Sequence, residues 1–172
     1  FVATHDRDRL RFYFFHIVKH DREKQDYPEV RFESFSRGLA DAEIAQKLRI
    51  ARGAATLNIR NVLWLDNRPV LVDEIALPAA QFRGLSEEMV RNRKSTLYNL
   101  YQSEFGITVA RSSERLRAGV VSAQHARLLE LAAGSPILQI RRVALRYDDT
   151  PVEWRVSHVN TALHEYSSEL GA

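Results

Sequence analysis

The sequence states one pattern twice, and this repeat constrains the fold more than any other feature. When residues 42–63 are aligned with residues 123–144, nine of the 22 positions are identical: Ala42, Ala45, Leu48, Ala51, Gly53, Leu57, Ile59, Arg60 and Val62. After one extra residue in the second copy, Pro69-Val70 aligns with Pro151-Val152. Each copy reads as a helix, a glycine stop, a strand, a tight turn and a returning strand.

Two helix–hairpin units predict a single α+β domain. A lone hairpin is only marginally stable in water, whereas two hairpins side by side can form one antiparallel sheet with helices packed on a face. We therefore expect an antiparallel sheet of about six strands, in two pseudo-symmetric halves that complete each other's core. The cleft where the halves meet is a natural place for a small ligand.

Local signals give provisional limits for the elements. Three helices are predicted between an N-cap residue and a glycine, with these limits: Asp41 and Gly53, Ser95 and Gly106, Ser122 and Gly134. Besides the two hairpins, strands are predicted over residues 9–21, 30–35 and 107–121, and a last short strand or turn near the C-terminus. Residues 78–89 are expected to be irregular, with short helical turns.

Composition excludes several classes of protein. The chain has 172 residues and no cysteine, so it offers neither a disulfide nor a thiolate metal site, which fits the cytoplasm. The apolar stretches are too short for a transmembrane helix, so no membrane span is expected. The formal net charge of +3 is too mild to demand an anionic partner. Motifs for a nucleophile, a phosphate loop or histidines at metal-binding spacing are absent, so we expect no enzyme, cofactor or metal.

Three pieces of the sequence, in this order and spacing, resemble one known family. The pieces are "RGAATLNIRNVLWLDNRPVLVDEIALPAAQFRGL", "STLYNLYQSEFGI" and "AGSPILQIRRVALRYDDTPVEWRVSHVN". Over residues 41–170 the chain resembles the UTRA domain (UbiC transcription regulator-associated domain). This domain is the effector-binding half of GntR-type bacterial transcriptional repressors of the HutC/FarR branch.

The resemblance implies a fold, partners and a domain order. The fold would be like that of chorismate lyase, and the protein would be a cytoplasmic homodimer that binds a small anionic organic effector. Effector binding would alter the affinity for operator DNA of an N-terminal winged helix-turn-helix. The opening "FVAT" is similar to the end of that domain's wing. Residues 1–8 would then be a wing and linker remnant, and residues 9–172 the effector-binding and dimerisation domain.

The resemblance also implies candidate effector-binding residues at matching positions, namely Arg60, Asp73, Thr96 and Glu153. Where the family pattern has a second arginine in the first hairpin, this chain has Arg60-Asn61-Val62, and Val159 stands near an expected tyrosine. These departures favour an effector with one anionic group, such as a small carboxylate, over a sugar phosphate.

Physical chemistry adds further candidates: Tyr98, Arg142, Arg155 and His158. An arginine can donate two N–H groups to a carboxylate, and Thr96 with free helix N-terminal amides can form an anion site. Because Arg141 and Arg142 are adjacent in a strand, only one can face the cleft. Glu153 would line the cleft with Arg155, and we expect Arg60 or Arg142 to hold the anion.

Each candidate also has a purely structural role. Arg60 could be a solvated hairpin residue, Thr96 an ordinary helix cap, and Glu153 a member of a cross-strand ion pair. The aromatic residues 12–15 could form core and dimer interface or wall the pocket. At the level of function, two alternatives to a sensor remain: a chorismate-lyase-like enzyme, and a dimerisation module without a ligand.

Overall fold

The computed structural model describes residues 15–20 and 27–168. The strands in these ranges are β1 (Ile17–Lys19), β2 (Glu29–Leu39), β3 (Ala55–Leu65), β4 (Arg68–Pro78), β5 (Arg111–Val120), β6 (Pro136–Leu145), β7 (Pro151–Val159) and β8 (His164–Tyr166). The helices there are α1 (Ala42–Leu48), α2 (Glu87–Arg91), α3 (Leu97–Phe105) and α4 (Ala123–Leu128). In this part of the chain, no helix has the length and apolar character needed to cross a membrane.

Six strands form one antiparallel sheet in the order β2-β3-β4-β7-β6-β5, which confirms the predicted α+β architecture. The order is symmetric, because β2, β3 and β4 of the first half correspond to β5, β6 and β7 of the second. At the centre, Glu74 of β4 lies opposite Val156 of β7. The alignment that matches Pro69 with Pro151 also matches Glu74 with Val156, so a pseudo-twofold axis passes between these two residues. The repeat unit is longer than the aligned sequence, since a strand precedes each helix.

Each helix of the repeat packs on a strand of the other half. Helix α1 places Leu48 in a cluster with Ala76 and Trp154, and Trp154 belongs to β7 of the second half. Helix α4 places Ala126 in a cluster with Val72, which belongs to β4 of the first half. These contacts lie on the face of the sheet that carries Glu74 and Trp154, called the back face below. The expectation that the halves complete each other's core is therefore confirmed.

The other face of the sheet, which carries Asp73 and Arg155, is called the front face. At one end it is covered by α2, α3 and the segment before them, where Phe82 and Tyr101 are fully buried with ring centroids 4.8 Å apart. At the other end it is covered by the small antiparallel sheet β1–β8, which buries Ile17 against Leu71 and Val159. Between these two covers the front face borders a cavity.

The repeat helices are shorter than predicted, because their C-termini are closed before the glycines. Arg49 adopts a left-handed conformation with φ of 52°, and the amide of Ile50 donates to the carbonyl of Ala45 at 3.0 Å. In the second copy, Leu131 donates to Ala126 at 2.9 Å. In both copies an amide donates to the carbonyl five residues earlier. This hydrogen bond closes the C-terminus of a helix when an apolar residue follows that can pack back onto the helix. Helices α1 and α4 therefore end at Leu48 and Leu128, well before Gly53 and Gly134.

The remaining limits differ in smaller ways. Helix α3 ends at Gly106 as predicted, with φ of 63°, but its N-cap is Thr96 rather than Ser95. Strand β5 begins at Arg111 rather than at Ile107, and α2 starts inside the segment predicted to be irregular. Of the strand predicted over residues 9–21, only Ile17–Lys19 is a strand within the described residues. Residues 1–14, which include the predicted boundary after residue 8, lie outside the described part.

Replacing Leu48 by Ala should lower the free energy of unfolding by about 2–5 kcal/mol, because Leu48 is 1% exposed and a cavity would open beneath α1. Urea unfolding followed by circular dichroism would measure the change. Leu39→Ala is the matched control, since Leu39 is 70% exposed and its loss should cost less than about 0.5 kcal/mol. Equal losses for both variants would contradict this account of helix packing.

Candidate ligand-binding site

The cavity lies between the front face, the N-terminus of α3 and the small β1–β8 sheet. Its free volume is about 90 Å³. One part of the wall is apolar and is formed by Phe15, Ile17, Val30, Leu63, Leu71 and Ile140. The other part is polar and is formed by His16, Asn61, Asp73, Arg93, Thr96, Tyr98, Arg142, Arg155, Ser157 and Tyr166.

Five of the eight predicted site residues line this cavity: Asp73, Thr96, Tyr98, Arg142 and Arg155. Side chains along a strand alternate between faces, and odd-numbered positions of β4 and β7 point to the front. The central pairing places Asp73 opposite Ser157, so these polar groups converge from both halves of the repeat. Thr96 comes from a different layer and caps α3, with its hydroxyl accepting from the amide of Asn99 at 3.3 Å.

Glu153 lies beneath the polar wall rather than on it. Its side chain is fully buried and accepts two hydrogen bonds from Arg155, at 2.8 and 3.0 Å. The hydroxyls of Tyr98 and Tyr101 donate to the same carboxylate at 3.0 and 2.7 Å. The ion pair thus runs along one strand and is buried, unlike the exposed cross-strand pair considered from the sequence. Glu153 fixes Arg155, which in turn donates to Asp73 at 2.9 Å.

This network shifts the pKa values of Glu153, Arg155 and Tyr98. Burial raises the pKa of the Glu153 carboxyl, but the charge and hydrogen bonds of Arg155 outweigh burial, so that pKa lies below its ordinary value. Burial lowers the pKa of Arg155, but Glu153 and Asp73 together hold it well above the ordinary range. Burial, reinforced by the charge of Glu153, raises the pKa of Tyr98 to about 12. At neutral pH the carboxylate is therefore ionised and the phenol is a hydrogen-bond donor.

A second buried ion pair closes the opposite side of the polar wall. Arg142 of β6 donates to Glu114 of the neighbouring strand β5, which lies directly across from it. Tyr166 of β8 donates to the other oxygen of Glu114 at 2.6 Å. The positive charge of Arg142 is thus balanced by a carboxylate from the protein.

Arg93 is the guanidinium of the cavity that lacks such a balance. Within residues 15–20 and 27–168, no carboxylate pairs with it, and one of its terminal nitrogens donates to the backbone carbonyl of Val90. Its Nε is buried without a hydrogen-bond partner. Burial lowers the pKa of Arg93, and the nearby charge of Arg155 adds to that effect. Arg93 lies just before the N-terminus of α3, where the positive end of the helix also favours an anion.

Comparison with known proteins agrees with this architecture. The family model of the UTRA domain matches residues 23–165. The chain belongs to the UTRA domain family. Its sequence is 33% identical to that of a ligand-binding domain of solved structure, which is assigned to a GntR-family transcriptional regulator from Bordetella bronchiseptica. That match has a TM-score of 0.84 and covers 91% of this chain and 96% of the other.

The regulator PhnF is a further relative, by sequence and by its solved structure. The transcriptional repressor PhnF of Mycolicibacterium smegmatis is 30% identical over 118 residues, which are 69% of this chain and 47% of that protein. The solved effector domain of PhnF from Mycobacterium smegmatis has the same fold, with a TM-score of 0.74 at 24% identity over 85% of this chain and 88% of the other. The UTRA domain described here spans about half the length of the regulators that it matches.

The UTRA domain does not bring Arg60 and His158 to the cavity. Both are at even-numbered positions of β3 and β7, so their side chains point to the back face. There Arg60 donates to Glu74 at 2.8 Å, and Nε2 of His158 lies 3.3 Å from the other oxygen of Glu74. The strand register therefore places Arg60 and His158 on the side of the sheet opposite the cavity, whereas the sequence had placed them in the cleft.

Sequence reasoning missed Arg93, which lies in the cavity wall from outside both repeats. The signal was the basic run Arg91-Asn92-Arg93-Lys94 directly before a helix N-terminus. Asn61 was also missed, although the repeat alignment places it at the position equivalent to Arg142, and its Oδ1 is buried without a partner. No sequence motif predicted a ligand-binding role for His16, Ser157 or Tyr166.

Replacing Glu153 by Gln should lower the free energy of unfolding by about 3–5 kcal/mol, because Arg155 would stay buried without its main counter-charge. Chemical unfolding monitored by tryptophan fluorescence would measure the loss. Glu33→Gln removes one carboxylate from an exposed position of β2 and should change stability by less than about 0.5 kcal/mol. A Glu153→Gln variant as stable as Glu33→Gln would refute the structural role of the buried pair.

Proposed function

We propose that this chain is the effector-binding domain of a GntR-type transcriptional repressor. In this proposal, a small anionic molecule binds the cavity and changes the affinity of an attached N-terminal domain for operator DNA in the bacterial cytoplasm. Residues 9–172 form the sensing and dimerising unit, and residues 1–8 the end of the DNA-binding unit. Relatives named as transcriptional repressors and regulators support this assignment.

One observation carries the anionic character of the effector: the unbalanced charge of Arg93 at the cavity. Arg155 is paired with Asp73 and Glu153, and Arg142 is paired with Glu114. A partly buried charge without a partner is unfavourable, and an anion from solution would offset that cost. The bound anion would receive N–H donors from Arg93 and from the N-terminus of α3.

The size and the apolar wall of the cavity narrow the effector further. A free volume of about 90 Å³ is below the roughly 300–1,000 Å³ of pockets for drug-sized ligands. One anionic group suits the one unbalanced guanidinium, and the wall of Ile17, Leu71 and Ile140 suits a short apolar body. Asp73 and Ser157 could bind a hydroxyl or amine of the ligand. A small carboxylate therefore fits better than a sugar phosphate.

The position of β1 offers a route from effector to DNA. Phe15, His16 and Ile17 line the cavity and lie close in sequence to the N-terminal end, where a DNA-binding domain precedes the UTRA domain in regulators of this class. An effector shifts the equilibrium between two arrangements only if it binds one of them more tightly. Contact between the effector and the β1 segment would make the effector's affinity depend on the position of that segment, and therefore on the arrangement of the preceding domain.

The two alternative functions lack comparable support. A ligand-free dimerisation module would fill the cleft with side chains, whereas this cleft retains free volume and an unbalanced arginine. A lyase of the chorismate type would have to clamp a dianionic substrate, and among the described residues the cavity offers one unbalanced cation. Relatives named as transcriptional regulators favour the sensor over the enzyme.

Replacing Arg93 by Ala should weaken effector binding by about 1.5–3 kcal/mol, the usual contribution of a charge-assisted hydrogen bond. A thermal-shift screen of small carboxylates, amino-acid catabolites and sugar phosphates would first identify ligands, since a molecule that binds only the folded state raises Tm. Titration calorimetry with each ligand found would then compare the wild-type chain and Arg93→Ala.

Arg60→Ala is the matched control for this experiment. It also removes one arginine, but on the back face, so effector affinity should stay within about twofold of the wild type. Equal loss of affinity in Arg60→Ala and Arg93→Ala would contradict the proposed position of the anion, and a screen without any stabilising anion would contradict the anionic effector itself.

We further propose that the domain is a homodimer, because regulators of this class read palindromic operators with paired domains. The strand β5 supports this proposal, since it lies at the edge of the sheet and one side of its backbone has no partner strand in the described part of the chain. Leu116 and Val120 point to the same face of β5 and are 46% and 72% exposed. The unpaired backbone groups of an edge strand are a template for pairing with a second copy.

Replacing Leu116 by Asp should shift the protein from dimer to monomer, because a charge would take the place of an apolar side chain in the proposed interface. Sedimentation velocity at micromolar concentration would measure the change. Leu163→Asp is the control, since Leu163 is equally exposed, at 46%, but lies outside β5. A wild-type monomer, or a dimer that survives Leu116→Asp, would be the contrary result.

A further inference from the structure

The back face carries a cluster of three metal-ligating side chains that the effector site does not use. Glu74 of β4, His125 of α4 and His158 of β7 place their ligand atoms within 4.8 Å of one another. The Nε2 atoms of His125 and His158 lie 3.2 and 3.3 Å from the two oxygens of Glu74. Both histidines are 7% exposed, and their ring centroids are 4.1 Å apart.

The pseudo-symmetry shows that the fold does not require polar residues at these positions. The repeat alignment relates Ile44 to His125 and, beyond the extra turn residue, Ala76 to His158 and Glu74 to Val156. Ile44, Ala76 and Val156 lie together in the apolar cluster around Trp154. One half of the molecule thus packs a helix on the sheet with three apolar side chains, while the other half uses two imidazoles and a carboxylate.

Hydrogen bonding alone does not satisfy this cluster. Nε2 of His125 is buried and lacks a hydrogen-bond partner, although it lies 3.2 Å from Glu74. Two ligand atoms at 2.0–2.1 Å from a tetrahedral zinc ion are separated by roughly 3.3 Å. Each distance between a histidine and Glu74 is close to one edge of a zinc coordination shell, and each involves a different oxygen of the carboxylate.

We propose that Glu74, His125 and His158 bind one divalent transition-metal ion, with zinc as the best match. Two histidines and a glutamate with a fourth position for solvent are a ligand set that zinc takes in proteins. Arg60 donates to Oε1 of Glu74 at 2.8 Å and orients the carboxylate from outside the ligand set. Glu74 is reachable from solvent, because its side chain is 37% exposed in a groove beside Arg60 and Trp154.

The bound ion would tie α4 to the two central strands of the sheet. His125 is on α4, while Glu74 and His158 belong to β4 and β7, the pair of strands that joins the two halves. Because a metal that binds only the folded state stabilises it, zinc raises the Tm of the chain in this proposal. Magnesium gives no such effect, since it prefers oxygen ligands and keeps its waters.

Titration calorimetry of the metal-free chain with zinc chloride tests the proposal. The wild type should bind one zinc ion, and His125→Ile and His158→Ala should each weaken binding by at least about tenfold. These two variants place at each position the residue found at its equivalent in the other half, so the packing is one that the fold already uses. Circular dichroism would verify that both variants are folded.

His164→Ala is the matched control, because His164 is also 7% exposed but lies on β8, outside the cluster. Zinc affinity should be unchanged in this variant, and cobalt should give the visible absorption of a tetrahedral site in the wild type but not in His125→Ile. The proposal is overturned if the wild type binds no zinc, if His125→Ile and His158→Ala bind it as the wild type does, or if His164→Ala loses binding equally.

Discussion

The pairing of β4 with β7 is the contact on which the rest of the structure depends. It joins the two halves into one sheet, and the pseudo-twofold axis passes through it between Glu74 and Val156. Because side chains alternate along these strands, the same pairing builds two polar sites back to back. Asp73, Arg155 and Ser157 point to the front cavity, while Glu74 and His158 point to the back. A shift of one residue in the register would turn the side chains of the shifted strand to the other face and so separate the members of each set.

Most charged side chains of the front face are held in ion pairs within the protein. The fold buries Glu153 completely and surrounds it with Arg155, Tyr98 and Tyr101, so that this carboxylate is satisfied by the protein itself. Glu114 does the same for Arg142 across β5 and β6. The charges of Glu153 and Arg142 are therefore satisfied by pairs within the protein, and Arg93, from the segment before α3, is the group that would bind an anion in the proposed function.

The repeat made the architecture predictable, because helix and strand limits recur at a fixed offset and each half has too little core alone. The antiparallel sheet in two halves followed from that pattern, whereas the family, Asp73 and Thr96 followed from the resemblance to the UTRA domain. The sequence placed Arg60 and His158 in the cleft, whereas the structure places them on the back face. The face to which a strand residue points depends on strand register, and the uncertain hairpin turns did not determine that register. Arg93 was missed because it lies outside both repeats. The Glu74–His125–His158 cluster was missed because its members come from segments distant in sequence, so no local spacing predicted it.

Each repeat helix packs on a strand of the other half, and this arrangement indicates how such a chain could arise. A half-length strand–helix–strand–strand unit that paired with its own copy through the last strand would form the same six-stranded sheet, with each helix covering its neighbour. Such an ancestral pair would have to carry every site twice. Gene fusion removes that symmetry requirement, so Asn61 can differ from Arg142 and Ile44 from His125. One chain can then keep a single binding site on each face, where a symmetric pair would be restricted to duplicates.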